Sequence, residues 1–292
     1  MPKRIFSASV YFCAVRQLLQ LLDWFLCTSL LTTCCAAGLC MATERLLLGA
    51  VPAILSPLHL LVVGSTMAVY NLPRIVRRRS GAGSQRFGSW YSALFFVGCA
   101  LLFWGWAGCG NPVRWVAAGS GIFALAYFLP MLPFADRKRL RDYGWVKITV
   151  LAVVWTVATS VLPIIDAHRH VAAYPFEILL RFTFIFSLCV IFDIRDVRED
   201  MRNNIATLPL RVGLRNSYRL IYTMLILFVV FSTLQYLRYP DAERIAGALI
   251  TAIATVATAA YLRNHPSDRG YMGLADGVML LYAVLVLLPV KF

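Results

Sequence analysis

Charged side chains are scarce in this 292-residue sequence, at 14%, and acidic ones are scarcer still, with 14 Asp and Glu against 28 Lys and Arg. Hydrophobic residues make up 60%, and the mean hydropathy is +0.71. Soluble globular domains carry about 25% charged residues. The composition therefore excludes a soluble domain and predicts a polytopic membrane protein.

Other features are missing as well. None of the eight cysteines forms a CxxC pair, no low-complexity tract interrupts the chain, and no small-residue cleavage site follows the first apolar stretch. We therefore expect no paired-cysteine motif and no secretory signal. Cys40 and Cys109, both predicted near the outer membrane face, are the pair for which a disulfide is plausible. His59 falls in the second apolar run, where hydrogen bonding is a better explanation than metal ligation.

Apolar runs near the 20 residues that cross a bilayer predict about nine transmembrane helices. Because no soluble insertion separates the runs, residues 1–292 are expected to form one all-α membrane domain. The runs lie at about 18–42, 46–70, 90–109, 113–133, 146–165, 174–192, 218–237, 245–262 and 271–290.

Basic residues predict the orientation of these helices. If the N-terminus is cytoplasmic, most of the 28 Lys and Arg fall on the cytoplasmic side, as the positive-inside rule requires. The protein is then expected in the cytoplasmic (inner) membrane, with its motif loops in the cytoplasm. The net charge of +14 is a topology signal with affinity for anionic lipid, so no nucleic-acid partner is expected.

The most informative motif is FDIRDVRED at residues 192–200. It places Asp193, Asp196 and Asp200 at i, i+3 and i+7, within roughly 60° on a helix. Three acids on one face repel each other unless a cation or a basic partner lies among them. Carboxylate and phosphate oxygens suit Mg²⁺, so the spacing favours a Mg²⁺–diphosphate site. The alternative is a solvated helix interleaved with Arg195, Arg198 and Arg202.

The longer stretch at residues 192–213 resembles the second aspartate motif of UbiA-type intramembrane prenyltransferases, DxxDxxxD followed by TLP and a glycine. Thr207, Leu208, Pro209 and Gly213 match the second part of that pattern. The loop between helices 4 and 5 is also similar, through Tyr127, Pro130, Pro133 and the basic run at 137–139. With nine helices, the resemblance covers the whole chain and implies a UbiA-like bundle.

The first aspartate motif of that family, NDxxDxxxD at the end of helix 2, is degenerate here. The corresponding stretch YNLPRIVRRRS retains Asn71 but has Leu72, Ile75 and Arg79 where the acids would fall. These side chains cannot ligate Mg²⁺. The arginines of this stretch either bind diphosphate oxygens in place of a metal or only anchor the helix end.

The resemblance implies a Mg²⁺-dependent transfer of an isoprenyl group from a prenyl diphosphate to a hydrophobic or aromatic acceptor in the lipid bilayer. Asp193, Asp196 and Asp200 would be both the metal ligands and the catalytic residues. The implied diphosphate-binding residues are Asn71, Arg74, Arg77, Lys138 and Arg139. The competing hypothesis is a non-catalytic family member, or a membrane transport or scaffold protein.

Several other polar and aromatic residues fall within the predicted helices. Glu177 and Arg181, four residues apart, are expected to form a structural ion pair. Asp276 is expected to face the cytoplasmic cavity or to bond a helix end. An allylic carbocation would need aromatic faces nearby, for which the candidates, with ordinary packing as the alternative, are Tyr70, Tyr127 and Trp155.

Overall fold

The computed structural model describes residues 23–26, 28–49, 55–79, 88–128, 144–202, 205 and 207–287. Within these ranges the chain is all-α and contains nine helical segments of 18 to 28 residues. They are α1 (Leu30–Leu48), α2 (Pro57–Arg79), α3 (Gly88–Gly108), α4 (Asn111–Phe128), α5 (Gly144–Asp166), α6 (Pro175–Arg202), α7 (Leu214–Arg238), α8 (Ala242–Asn264) and α9 (Asp268–Leu287).

Within the described ranges, seven of these helices are long and apolar enough to cross a membrane. The other two are α2 and α4. The prediction of an all-α, membrane-embedded bundle is confirmed.

The predicted bounds of the first two helices, 18–42 and 46–70, are wrong. In the structure α1 ends at Leu48, where Gly49 takes a left-handed backbone (φ 65°) and donates its N–H to the Arg45 carbonyl. A proline then begins α2, as its fixed backbone angle allows. Because the apolar residues continue through this turn, hydropathy alone does not reveal the break.

Helix α6 continues to Arg202, ten residues beyond the predicted end at 192. The apolar run ends at 192, and the spacing of the aspartates predicts that they lie on a helix. In the structure the apolar run and the aspartate motif form one continuous helix, so the motif belongs to a rigid element.

Helices α2 and α3 pack with their backbones in close contact. A Cβ atom at Gly98 would lie only 2.8 Å from both the Ala68 nitrogen and the Met67 Cβ. Gly64 and Gly105 make similar contacts across the same interface. Small residues at such spacings let membrane helices approach closely. This contact fixes the helix that carries Tyr70 and Arg74.

The centre of the bundle is aromatic. The rings of Phe184 on α6 and Phe228 on α7 are stacked, with centroids 5.0 Å apart. The Tyr282 ring on α9 lies within 5.7 Å of both. All three side chains are fully buried, and they hold the three helices together through large apolar contacts.

Helix α5 contains a π-helical turn at Val157–Val161, just before Pro163. A proline has no N–H, so it cannot donate to the Thr159 carbonyl one turn earlier. The Thr43 hydroxyl on α1 donates to that carbonyl instead, at 2.8 Å. The irregular turn of α5 is therefore tied to α1 by a buried hydrogen bond.

A buried ionic cluster lies at the end of α6 away from the aspartates. The predicted pair is confirmed: Arg181 Nη2 lies 3.0 Å from Glu177 Oε1, and both side chains are fully buried. A second cation, Arg244 on α8, approaches the other carboxylate oxygen at 3.1 Å. Hereafter we call this the opposite end of the bundle, and the end that holds Asp193 the aspartate end.

We expect Gly98→Ala to destabilise the protein by about 1–3 kcal/mol, because the added methyl group forces two backbones apart. The matched control is Gly119→Ala on α4, where nothing lies within 4 Å of the added carbon. That change should be neutral or slightly stabilising, since alanine is a better helix former than glycine. Thermal unfolding in detergent measures both, and equal shifts would contradict the close α2–α3 contact.

Candidate functional site

The three motif aspartates lie on one face near the C-terminal end of α6. Asp193 and Asp200 are buried, and the Asp196 side chain is 27% exposed. A common partner brings all three together, so the prediction that they share a helix face is confirmed.

That partner is Lys147, in the first turn of α5. Its Nζ lies 2.6 Å from Asp193 Oδ1. The same atom lies 3.6 Å from Asp200 Oδ2 and 3.9 Å from Asp196 Oδ2. The lysine side chain is only 11% exposed. A covalently attached cation thus occupies the place among the carboxylates where the sequence predicted a metal ion.

The backbone at the start of α5 places this lysine. Gly144, the first residue of the helix, has a positive φ of 44°, which glycine adopts without steric penalty. The chain therefore turns into the helix just before Lys147. Packing of α5 on α6 then carries the ammonium group onto the aspartate face.

The TLP segment that follows the aspartates forms a short helix, Leu208–Val212. Thr207 precedes it and is fully buried. Gly213 follows it with a φ of 82°, a conformation that favours glycine. This left-handed residue lets the chain turn at once into α7, which explains the glycine of the motif in physical terms.

A cavity of about 230 Å³ opens beside the aspartates. Its polar part is formed by two of the aspartates, a third carboxylate on α9 and three cations. Its apolar part runs towards the centre of the bundle. The ionised lining residues are Asp193, Asp196, Asp276, Lys147, Arg74 and Arg195.

The two arginines of this cavity are held by aromatic rings. The Arg74 guanidinium lies 5.4 Å from the centre of the Tyr91 ring. Arg195 lies 5.2 Å from the Phe192 ring and donates through Nε to Asp196 at 2.7 Å. Such contacts orient a guanidinium group at the wall of the cavity.

Asp276 lines the same cavity from α9. It follows a π-helical turn, Tyr271–Ala275, and accepts a hydrogen bond from the Thr32 hydroxyl at 3.0 Å. Of the two roles that the sequence left open, the structure supports exposure to the cavity.

A second, larger cavity of about 590 Å³ adjoins the first. Tyr70 and Trp155 line both cavities and lie between them. The Trp155 indole N–H donates to the Tyr70 hydroxyl at 3.0 Å. The larger cavity is almost wholly apolar, and the hydroxyls of Ser65 and Thr66 in its wall bond a carbonyl of their own helix. It offers space for a hydrocarbon chain rather than for a polar ligand.

The donor chemistry of the carboxylate cluster suits a single Mg²⁺ ion. Its donors are the hard oxygens that Mg²⁺ prefers, and the buried Asp193 Oδ2 has no hydrogen-bond partner among the described residues. Lys147 must move aside for such an ion. Helix α2, which also lines the polar cavity, contains no acidic residue from Pro57 to Arg79, so it supplies no carboxylate for a second ion.

The remaining predicted residues have different placements. Asn71 is fully buried and donates to the Ser29 hydroxyl and to the Met67 carbonyl, and it is not among the residues that line the cavity. Arg77 lies in the last turns of α2. Lys138 and Arg139 lie outside the described residues. Their roles in diphosphate binding stay predictions.

Sequence reasoning missed Lys147 as a member of the site. The signal was available, since a lysine that begins a strongly apolar helix must find a partner. Arg195, which one of the two alternatives placed on a solvated helix face, lines the cavity. Tyr70, Tyr127 and Trp155, chosen only by position, all line it too.

The fold has counterparts among solved structures. A UbiA homolog from Aeropyrum pernix K1 superimposes with a TM-score of 0.65 over 87% of this chain and 96% of that one, at 14% identity. The chain therefore has a UbiA-type fold. A digeranylgeranylglyceryl phosphate synthase matches with a TM-score of 0.53, at 14% identity, over 92% of this chain and 98% of that one.

A third UbiA-type structure, a homolog from Archaeoglobus fulgidus bound to GPP and Mg²⁺, gives a TM-score of 0.51 at 13% identity, over 92% of this chain and 97% of that one. No protein-family model matches the sequence, and no curated relative matches it significantly. At these identities the likeness concerns the fold, and the site must be judged from this chain's own residues.

Removing the tethered cation should destabilise the UbiA-type bundle. We expect Lys147→Met to lower stability by about 3–5 kcal/mol in the presence of a chelator, because buried carboxylates lose their partner. Mg²⁺ should restore part of that loss. Thermal unfolding with EDTA and with Mg²⁺ measures both effects.

The control is Arg202→Met, which removes an exposed cation from the same end of α6 and should change little. If Lys147→Met unfolds like the wild type in EDTA, the lysine does not stabilise the cluster.

Proposed function

We propose that this integral membrane protein transfers a prenyl group from a prenyl diphosphate to a hydrophobic or aromatic acceptor. The observation that carries the proposal is the junction of a cavity lined by cations and carboxylates with a larger apolar one. A prenyl diphosphate has the same two parts, an anionic head and a hydrocarbon tail. A solvated face on α6 would not account for the meeting of these two cavities. Arginines that only anchor the end of α2 would not account for it either.

Charge indicates that the head group needs one added cation. At the aspartate end the described residues of the site comprise four carboxylates and three cations. A bound diphosphate would add about three further negative charges, and unpaired buried charges are costly. One Mg²⁺ on the aspartate cluster would offset about half of the resulting excess of negative charge, and the solved neighbour with GPP also contains Mg²⁺.

Different residues of the chain would then bind the metal ion and the diphosphate. When bound, Mg²⁺ supplies Lewis-acid stabilisation of negative charge on phosphate oxygens. Asp193, Asp196 and Asp200 would hold the ion, and the Lys147 ammonium would then join the arginines in binding the diphosphate. Negative charge accumulates on the departing diphosphate in the transition state. These cations would therefore stabilise the transition state more than the ground state and lower the barrier to ionisation.

The reaction would proceed by cleavage of the allylic C–O bond. Its electron pair stays on the diphosphate, and the allylic cation lies against the rings of Tyr70, Tyr127 and Trp155. A nucleophilic atom of the acceptor forms the new bond to the allylic carbon. The acceptor then loses a proton to water, which restores its neutral form.

The apolar cavity would hold the prenyl tail. Its volume of about 590 Å³ lies within the 300–1,000 Å³ that is usual for ligand pockets. The tail would pass the Tyr70–Trp155 pair to reach it. We place the aspartate end in the cytoplasm, because that assignment puts most Lys and Arg on the inner side.

The test of the head-group site is Asp193→Asn. We expect the Mg²⁺-dependent affinity for GPP to fall by more than about 100-fold, since loss of even an outer-shell partner costs about 10–100-fold in metal affinity. Turnover with any accepted substrate should be lost as well. Binding to the purified protein in detergent, with and without Mg²⁺, gives the measurement before an acceptor is known.

Glu199→Gln is the matched control, because Glu199 is an exposed acid within the same stretch of α6 and should tolerate the change. Wild-type affinity in both Asp193→Asn and Asp196→Asn would overturn the head-group assignment. If the wild-type protein binds no GPP under either condition, a non-catalytic bundle is the better explanation.

The test of the tail site is Ala118→Phe, which adds a ring inside the apolar cavity. We expect the affinity for geranylgeranyl diphosphate to fall by about tenfold, or roughly 1.4 kcal/mol, relative to that for GPP. Competition binding with the two diphosphates measures this ratio.

Ala107→Phe serves as the control, since Ala107 is exposed on α3 and outside the residues that line this cavity. An equal affinity ratio in wild type and Ala118→Phe would mean that the tail lies elsewhere.

A further inference from the structure

A second group of metal-ligating side chains lies at the opposite end of the bundle. Cys40 and Glu44, one turn apart on α1, meet His59 from the first turn of α2. All three side chains are buried. Their ligand atoms, one thiol sulfur, one carboxylate oxygen and one imidazole nitrogen, lie within 4.8 Å of one another.

Two further donor side chains lie on neighbouring segments. The Asp166 carboxylate, at the end of α5, is within electrostatic range of Glu44 and His59. Cys109, buried in the turn between α3 and α4, is within electrostatic range of Cys40. Neither cysteine is in a disulfide in the structure, so the bridge suggested by the sequence is absent and both thiols remain available.

The donor types select the kind of ion. Thiolate and imidazole together with one carboxylate suit Zn²⁺, whereas Mg²⁺ and Ca²⁺ prefer oxygen donors alone. Zn²⁺ bound to one thiolate, one carboxylate and a neutral imidazole carries no net charge. A neutral complex is the form that is least costly to bury.

The distances require small movements. His59 Nε2 lies 2.7 Å from Glu44 Oε2, and tetrahedral Zn²⁺ separates nitrogen and oxygen ligands by roughly 3.3–3.5 Å. The pair must therefore open by less than about 1 Å to admit the ion.

Metal binding also exchanges a proton. In the structure the Ser56 N–H donates to His59 Nδ1 at 3.3 Å, so Nε2 carries the proton that faces Glu44. An ion on Nε2 requires the other tautomer, which ends that long hydrogen bond. Ser56 and His59 share a second hydrogen bond at the start of α2, from the His59 backbone N–H to the Ser56 hydroxyl at 3.2 Å. The change of tautomer leaves this bond unaffected. The Cys40 thiol proton leaves to solvent.

We propose that Cys40, Glu44 and His59 form a Zn²⁺ site that joins α1 to the start of α2. The site is independent of the prenyl-transfer chemistry at the aspartate end. The site joins α1 and α2 at the opposite end of the bundle. At the aspartate end, the same two helices contribute Thr32 and Arg74 to the polar cavity.

The test uses the full chain in detergent, carrying an affinity tag that is free of histidine. Chelator-treated protein is loaded with Zn²⁺ and desalted, and bound metal is measured per chain. Loading with Co²⁺ then reports the ligands, because a thiolate ligand gives a charge-transfer band. We expect about one ion per chain with that band, and a higher unfolding temperature in Zn²⁺.

Cys40→Ser should lower Zn²⁺ affinity by more than about 100-fold and abolish the band. Cys34→Ser is the control, because this exposed thiol on the same helix should leave both unchanged. His59→Gln gives a second reading if Cys40→Ser folds poorly, as judged by its elution profile and helical content. Wild type without retained metal, or equal affinity in wild type and a folded Cys40→Ser or His59→Gln, overturns the proposal.

Discussion

The aspartate end of this bundle depends on the contact between one lysine and three aspartates. Unit charges 4 Å apart interact by about 1 kcal/mol in water but by about 4 kcal/mol at an effective dielectric of 20. Three carboxylates on one buried helix face therefore repel each other strongly enough to threaten the fold. Lys147 offsets that repulsion because α5 packs beside α6. The contact thus balances charge at this end of the bundle.

The buried carboxylates at the two ends of the bundle differ in how completely their oxygens are paired. Around Glu177 both carboxylate oxygens are engaged by Arg181 and Arg244. The cavity beside Arg244 is about 10 Å³, which is room for a single water molecule. At Asp193, by contrast, one oxygen lacks a hydrogen-bond partner among the described residues, and about 230 Å³ of space lies alongside. Only the second arrangement leaves room for a ligand.

Much of the fold followed from hydropathy, because apolar runs of bilayer length have few alternatives to a helix. The boundaries did not follow where apolar residues continue through a turn, as at Gly49, or where charged residues continue a helix, as after Asp193. The i, i+3, i+7 spacing predicted the aspartate face correctly. It could not predict Lys147, since that partner comes from another helix. The pair of Glu177 and Arg181 was predictable because it is local, whereas Arg244 lies far along the sequence.

The π-helical turn in α5 has a consequence for the evolution of the chain. Such a turn holds one residue more than the regular helix around it, and each residue rotates a helix by about 100°. Losing a single codon within Val157–Val161 would let α5 become regular. The first half of α5, which carries Lys147, would then rotate relative to the part that is hydrogen-bonded to Thr43. This rotation would turn the lysine away from the aspartates. This short stretch should therefore tolerate substitutions far better than deletions.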